Sequence, residues 1–219
     1  MPISRSFPTS QGARIVAALI SAAVILVDFW LVWRGNVSFL GFRSIPPLVA
    51  IAAYILLGRG DLASVGLRLW PVQGLRYWLK ATLVIALAVG AFIAIVGLVL
   101  VRTGRPLRIH PISPDDMLPA FVDMCLLYPL VEEAIYRLGF CTGAVSLLGP
   151  KCTIAASGLT FGALHVLYGN PGPDNLIAGY FLAWAYLKSG TIVVPVVLHS
   201  LGNLCALAMH FATWYWQHG

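Results

Sequence analysis

Long apolar stretches, separated by short polar connectors, make up most of the chain. The clearest is 81–101, which contains no charged residue and is long enough to cross the hydrocarbon core as a helix. Together with this one, the apolar stretches are 13–33, 45–57, 81–101, 117–148, 152–167, 175–187 and 191–215. The pattern predicts an all-α fold: a polytopic transmembrane helical bundle with about seven (six to eight) membrane helices.

The composition supports lipid as the solvent. Hydrophobic residues make up 59% of the 219 residues and charged residues 10%, against about 25% charge in a typical soluble domain. The net charge is +6, and basic residues such as Arg34, Lys80 and Arg102 lie at the ends of apolar stretches, where membrane anchors and topology determinants belong. We therefore expect an integral, multi-pass membrane protein with membrane lipid as a partner and no nucleic acid.

The chain divides into a short tail and one domain. Residues 1–12 are polar and carry Pro2 and Pro8, so they predict a flexible amino-terminal tail. No linker interrupts 13–216, which we expect to form a single transmembrane domain. Asp28, near the end of the first apolar stretch, is interpreted as reaching the membrane surface.

Two adjacent carboxylates lie inside an apolar stretch. Glu132 and Glu133 are the only glutamates in the chain. A charge within a membrane helix costs about 2.5–3.5 kcal/mol, so it marks a functional site by default. Arg137 follows Glu133 by four residues, where the two can form an ion pair. Glu132 is rotated by about 100° and stacks over Tyr136. Glu132 is therefore the freer carboxylate and the candidate general base, although an ion pair that only joins helices explains Glu133 and Arg137 equally well.

Two other apolar stretches supply polar partners for one polar cavity. His165 lies in the fifth stretch, while His199 and Asn203 are four residues apart in the last and share a helix face. In one chemistry, Glu132 and His165 polarise a water that attacks a carbonyl. His199 and Asn203 then donate hydrogen bonds to the oxyanion. In the other chemistry, the glutamate and the histidines bind zinc, which activates the water. No His-Glu-x-x-His motif demands the metal, so we favour a site without a cofactor.

Three motifs in this order resemble those of the CPBP family of intramembrane proteases, which comprises CAAX proteases and bacteriocin-processing, Abi-type enzymes. They are Glu-Glu-x-x-x-Arg at 132–137, Phe-x-x-x-His at 161–165 and His-x-x-x-Asn at 199–203. Each lies on a separate apolar stretch, and the resemblance covers about 117–210, the expected catalytic core. It implies a helical bundle around a water-accessible cavity that cleaves peptide bonds near the membrane.

The resemblance also implies a role for each motif residue. Glu132 is the general base, with His165 as its partner. His199 and Asn203 form the oxyanion hole, and the mechanism needs no metal. At position 136, tyrosine replaces the phenylalanine that is usual in the family. The supporting residues are Glu133, Arg137, Tyr136 and Phe161.

The expected function is that of an intramembrane endopeptidase acting on a membrane-associated protein or peptide precursor. The resemblance allows a prenylated CAAX protein, a bacteriocin or pheromone precursor, or a carboxy-terminal membrane sorting signal as substrate. Such short members are typical of prokaryotes, where prenylated proteins are not expected. We therefore favour a peptide precursor or membrane-anchored tail in the prokaryotic cell (inner) membrane. The alternatives are a non-catalytic immunity or scaffold protein and a zinc-dependent version of the same protease. A proton-coupled transporter is disfavoured because so small a chain shows no repeated halves.

Overall fold

The computed structural model describes residues 10–36, 38, 41–104 and 109–218, and all regular structure in these ranges is helical. A short 3-10 turn, Phe42–Ser44, precedes the second helix. The predicted all-α architecture is therefore confirmed for the described part of the chain. The helices are α1 Gln11–Trp33, α2 Ile45–Leu57, α3 Leu75–Arg102, α4 over 117–167, α5 Pro173–Ser189 and α6 Val193–His218.

The first helix begins inside the segment that was predicted to be a flexible tail. The Ala13 N–H donates a hydrogen bond to Ser10 Oγ at 3.3 Å, so a serine cap starts α1 at Gln11. Because of this cap, the helix begins at Gln11, before the first residue of the apolar stretch at 13. Residues 1–9 of the predicted tail lie outside the described residues.

Helix α4 is a long helical run that is interrupted by a kink at Gly149, where the backbone is not helical. Its last segment contains Gly149 at φ +72°, a conformation that glycine tolerates, and Pro150 follows directly. We call 117–148 the glutamate arm and 150–167 the histidine arm. The predicted fourth and fifth helices are these two arms, which join without a connecting loop. The described residues therefore contain six helices, and the count of about seven is not confirmed. The segments of α4 are Met117–Phe121, Val122–Leu127, Tyr128–Glu133, Ala134–Cys141 and Thr142–Leu167.

Several helices have the character of membrane spans. The structure exposes large apolar side chains along α3, among them Leu83 and Leu87, as expected for a helix that lies in lipid. A shorter apolar helix, Phe42–Leu57, accompanies the long ones. These features indicate a membrane protein. By length and composition, the described helices that can cross a membrane are Gln11–Trp33, Leu75–Leu100 and Val193–His218.

The core lies where the glutamate arm packs between α1, α2 and α5. Tyr54 of α2 joins these helices, because its hydroxyl lies 2.8 Å from the Gly139 carbonyl oxygen and 2.8 Å from Ser21 Oγ. On the other side, α6 packs against α5 and against Val122–Leu127 of the glutamate arm. The two glutamates on this arm are thereby enclosed by protein.

Candidate active site

The glutamate pair lies on a short α-helical segment between two π-helical ones. Tyr128–Glu133 is flanked by Val122–Leu127 and Ala134–Cys141. Such π-helical insertions widen the helix locally and are frequent at functional sites. Both carboxylates point into the protein: the exposed fraction of Glu132 is 4% and that of Glu133 is 0%.

Glu133 is fully engaged by hydrogen bonds. Arg137 Nε donates to Glu133 Oε2 at 2.8 Å, and Nη2 approaches Oε1 at 3.4 Å. His199 Nδ1 lies 2.9 Å from the same Oε1, and because a carboxylate only accepts, Nδ1 is the donor. Arg137 Nη1 also donates to Ser157 Oγ on the histidine arm at 2.6 Å. The ion pair predicted from the i, i+4 spacing is confirmed, and it further joins two arms and α6.

Glu132 has a different environment, although it is the next residue. Its Oε2 lies 3.7 Å from His199 Nε2, which is longer than a hydrogen bond. His199, His165 and Arg43 lie close enough to Glu132 to interact with it electrostatically. Among the residues that the structure describes, none gives Glu132 a hydrogen bond comparable to those of Glu133. Glu132 is thus a buried carboxylate with unused acceptor capacity, on a site lined by two histidines.

Phe161, four residues before His165 on the histidine arm, packs at the centre of the candidate site. Its ring packs against the rings of His165, Tyr136 and His199, with centroid distances of 4.5, 5.2 and 5.9 Å. His165 Nδ1 lies 2.9 Å from the Phe161 carbonyl oxygen. Since a carbonyl can only accept, Nδ1 carries the proton and Nε2 is left to accept or, when protonated, to donate. One aromatic ring therefore holds residues of all three motifs in contact.

Asn203 is hydrogen-bonded to a backbone carbonyl of the glutamate arm that accepts no N–H from the helix itself. Its Nδ2 donates to the Met124 carbonyl oxygen at 2.7 Å. The Tyr128 N–H bonds to the Asp123 carbonyl in the π-helical register, and the next residue, Pro129, has no N–H to give. The proline and the π-helical turn together leave the Met124 carbonyl for Asn203. The amide keeps its second N–H, so it can still act as a donor.

A second buried ion pair borders the site and was missed from the sequence. Arg43 Nε donates to Asp28 Oδ1 at 2.7 Å and Nη2 to Oδ2 at 3.1 Å, and both side chains are buried. Tyr136 Oη donates a longer hydrogen bond, 3.4 Å, to Asp28 Oδ2. The interpretation that Asp28 reaches the membrane surface is therefore wrong. Its partner comes from the turn before α2, a connector without regular periodicity, so spacing along the chain could not identify it.

The described residues do not present a set of side chains arranged to bind zinc. Within these ranges, no three His, Cys, Asp or Glu side chains are grouped so that they could hold a metal ion. The histidine nitrogens are partly committed as well, because Nδ1 of His199 bonds to Glu133 and Nδ1 of His165 to a carbonyl oxygen.

Residues 114–205 match a protein family model described as Type II CAAX prenyl endopeptidase Rce1-like. The match includes the residues of all three motifs, from Glu132 to Asn203. No curated protein and no solved structure matches the chain. The family match confirms the resemblance of this part of the chain to the CAAX proteases.

Proposed function

Because residues 114–205 match the Rce1-like CAAX endopeptidase family model, we propose that this protein is an intramembrane endopeptidase in which Glu132 activates the hydrolytic water. The observation that carries the proposal is the difference between the two adjacent carboxylates. Glu133 is neutralised by Arg137 and bonded to His199, whereas Glu132 keeps its acceptor capacity beside two histidines. A buried carboxylate with that capacity is suited to accept a proton from water.

The proposed reaction uses the described side chains in a simple sequence. Glu132 accepts a proton from a water as the water oxygen bonds to the carbonyl carbon of the scissile peptide. His165 Nε2 holds the same water by a hydrogen bond. When the tetrahedral intermediate collapses, the carbon–nitrogen bond breaks and Glu132 returns the proton to the leaving amine.

Two donors face the negative charge that develops on the carbonyl oxygen. A protonated His199 can donate from Nδ1 to Glu133 and from Nε2 to the oxyanion at the same time. Asn203 supplies its second N–H, while the first holds the Met124 carbonyl. In this arrangement Glu133 and Arg137 are supporting residues, because Glu133 orients the His199 ring.

We propose a membrane-associated protein or peptide precursor as the substrate, in a prokaryotic inner membrane. The family description names prenyl endopeptidases, and the resemblance of the three motifs to those of bacteriocin-processing enzymes also allows an unprenylated precursor or membrane-anchored tail. These substrate classes can be compared directly in one assay.

The test uses the full chain reconstituted in liposomes with three fluorogenic peptides. One ends in a farnesylated CAAX sequence, the second is the same peptide without the farnesyl group, and the third is an apolar membrane-anchored tail. We expect cleavage of at least one peptide, and a fall in kcat/KM of about 10²–10⁴-fold for Glu132→Gln. Asp123→Asn is the matched control, because it removes a carboxylate from an exposed position of the same arm.

Three outcomes contradict parts of the proposal. Cleavage by Glu132→Gln at the wild-type rate would show that the base is another group. Binding of a peptide without cleavage of any would favour the non-catalytic scaffold. Loss of cleavage on chelation, restored by zinc, would favour the metal-dependent version, whereas unchanged cleavage after chelation supports water activated by the glutamate alone.

A further inference from the structure

Tyr168 lies at the end of the histidine arm, outside the three motifs. Its N–H closes the arm by bonding to the Leu164 carbonyl at 3.0 Å, and Gly169 follows at φ +80°, which turns the chain away. Tyr168 follows His165 by three residues, so the two side chains share a face of the helix. The helix end thus places a phenol next to a histidine of the candidate site.

The phenol ring is held from two directions. It packs edge-on against the His165 ring, with centroids 5.8 Å apart and planes at 81°. On the other side, the Arg43 guanidinium lies 5.3 Å from the ring centroid, in cation–π geometry. Arg43 is itself fixed by its two hydrogen bonds to Asp28. The position of the ring, and with it that of the hydroxyl, is therefore set by the surrounding protein.

The hydroxyl is the unusual part of this side chain. Tyr168 Oη is buried, and no side chain or backbone group in the described ranges forms a hydrogen bond with it. It is close enough to Glu132 for the two groups to interact electrostatically. A buried hydroxyl without a partner is unfavourable, and such groups in folded proteins are usually bonded to an ordered water or a ligand. A small polar molecule between Tyr168 and Glu132 satisfies both groups.

We propose that Tyr168 is a further catalytic residue, whose hydroxyl holds the hydrolytic water together with Glu132. The inference rests on the proposed function. The water donates one O–H to Glu132 and the other to His165 Nε2, and it accepts a hydrogen bond from the Tyr168 hydroxyl, which leaves one oxygen lone pair to face the scissile carbonyl. On attack, the first proton moves to Glu132 and then to the leaving amine, and the second stays on the new carboxyl group. Tyr168 remains a protonated phenol throughout, and its role is to orient the water.

The test compares Tyr168→Phe with wild type in the same liposome assay, using whichever fluorogenic peptide the wild type cleaves. The substitution removes the hydroxyl and keeps the ring between His165 and Arg43. We expect kcat to fall about 10- to 100-fold, as for the loss of one hydrogen bond to the reacting group, with KM changed less than about twofold. Tyr180→Phe is the control, since it makes the same chemical change at a half-buried tyrosine that packs on Gly158.

A second measurement separates water from substrate as the partner of the hydroxyl. The affinity of the same peptide is measured for Glu132→Gln with and without Tyr168→Phe, together with thermal unfolding. Equal affinities and equal unfolding temperatures support the proposal. An unchanged kcat, or a raised KM with weaker peptide affinity, overturns it, because the hydroxyl then has no role or binds substrate. The outcomes also distinguish this inference from the proposed function. If wild type cleaves none of the three peptides, the proposed function fails and this inference fails with it. If wild type cleaves and Tyr168→Phe cleaves equally fast, only the role of Tyr168 is wrong.

Discussion

Two buried ion pairs lie beside the candidate active site, one in each half of the chain. Glu133 and Arg137 are four residues apart on one helical arm, with Nε 2.8 Å from the carboxylate. Asp28 and Arg43 come from two different elements, with Nε 2.7 Å from the carboxylate. The chemistry and the burial are the same, yet the first pair follows from helical periodicity and the second only from the packing of α1 against the turn before α2. A local pattern therefore identifies one of these two ion pairs and misses the other.

The pairs also differ in what surrounds them. Arg137 holds Glu133 and Ser157, and Glu133 in turn orients His199. Asp28 receives a second, longer hydrogen bond from Tyr136 in addition to those from Arg43. Tyr136 therefore connects the amino-terminal pair to the glutamate arm. Three substitutions test this difference, in order of expected effect.

Arg137→Met should have the largest effect on stability. It leaves the Glu133 charge buried and takes the donor from Ser157, so we expect a loss of about 3–5 kcal/mol in the free energy of unfolding. The measurement is denaturant unfolding of the purified protein in micelles. Arg34→Met, at an exposed position after α1, is the control. Equal stability of these two variants would mean that the ion pair of Glu133 and Arg137 contributes little to the free energy of unfolding.

Arg43→Met should destabilise less, by about 3 kcal/mol, because Arg137→Met breaks an ion pair and also removes the donor of buried Ser157. The double variant Asp28→Asn with Arg43→Met should recover at least half of that loss, since no unpaired charge remains buried. The same unfolding experiment gives the coupling between the two positions. Losses that simply add in the double variant would show that Asp28 and Arg43 do not stabilise each other.

Tyr136→Phe should have the smallest effect, below about 1 kcal/mol. The hydrogen bond it removes is long, 3.4 Å, and the ring contact with Phe161 is kept. Phenylalanine is also the residue that the resemblance to the family led us to expect at this position. A loss as large as that of Arg43→Met, measured under the same conditions, would instead make the tyrosine hydroxyl the main support of Asp28.

The helices show which features of the fold the hydrophobic pattern predicts and which it misses. The long apolar stretches predicted α1, α3 and α6, because a membrane helix needs only a continuous run of apolar residues. The predicted boundary between the fourth and fifth helices coincides with the kink at Gly149, whose backbone is not helical, although no loop separates the two arms. The start of α1 was predicted too late because the Ser10 cap acts through one hydrogen bond and leaves no hydrophobic signal.

The sequence by itself determined the membrane character, the helical class, the three motifs and the pairing of Glu133 with Arg137. Each of these depends on composition or on spacings within one helix, which the chain order records directly. The tertiary structure alone decided that Glu133 rather than Glu132 binds His199, that Asn203 caps the Met124 carbonyl, and that Asp28, Arg43 and Tyr168 border the same site. These contacts join residues from different elements, so they depend on how the helices pack and bend.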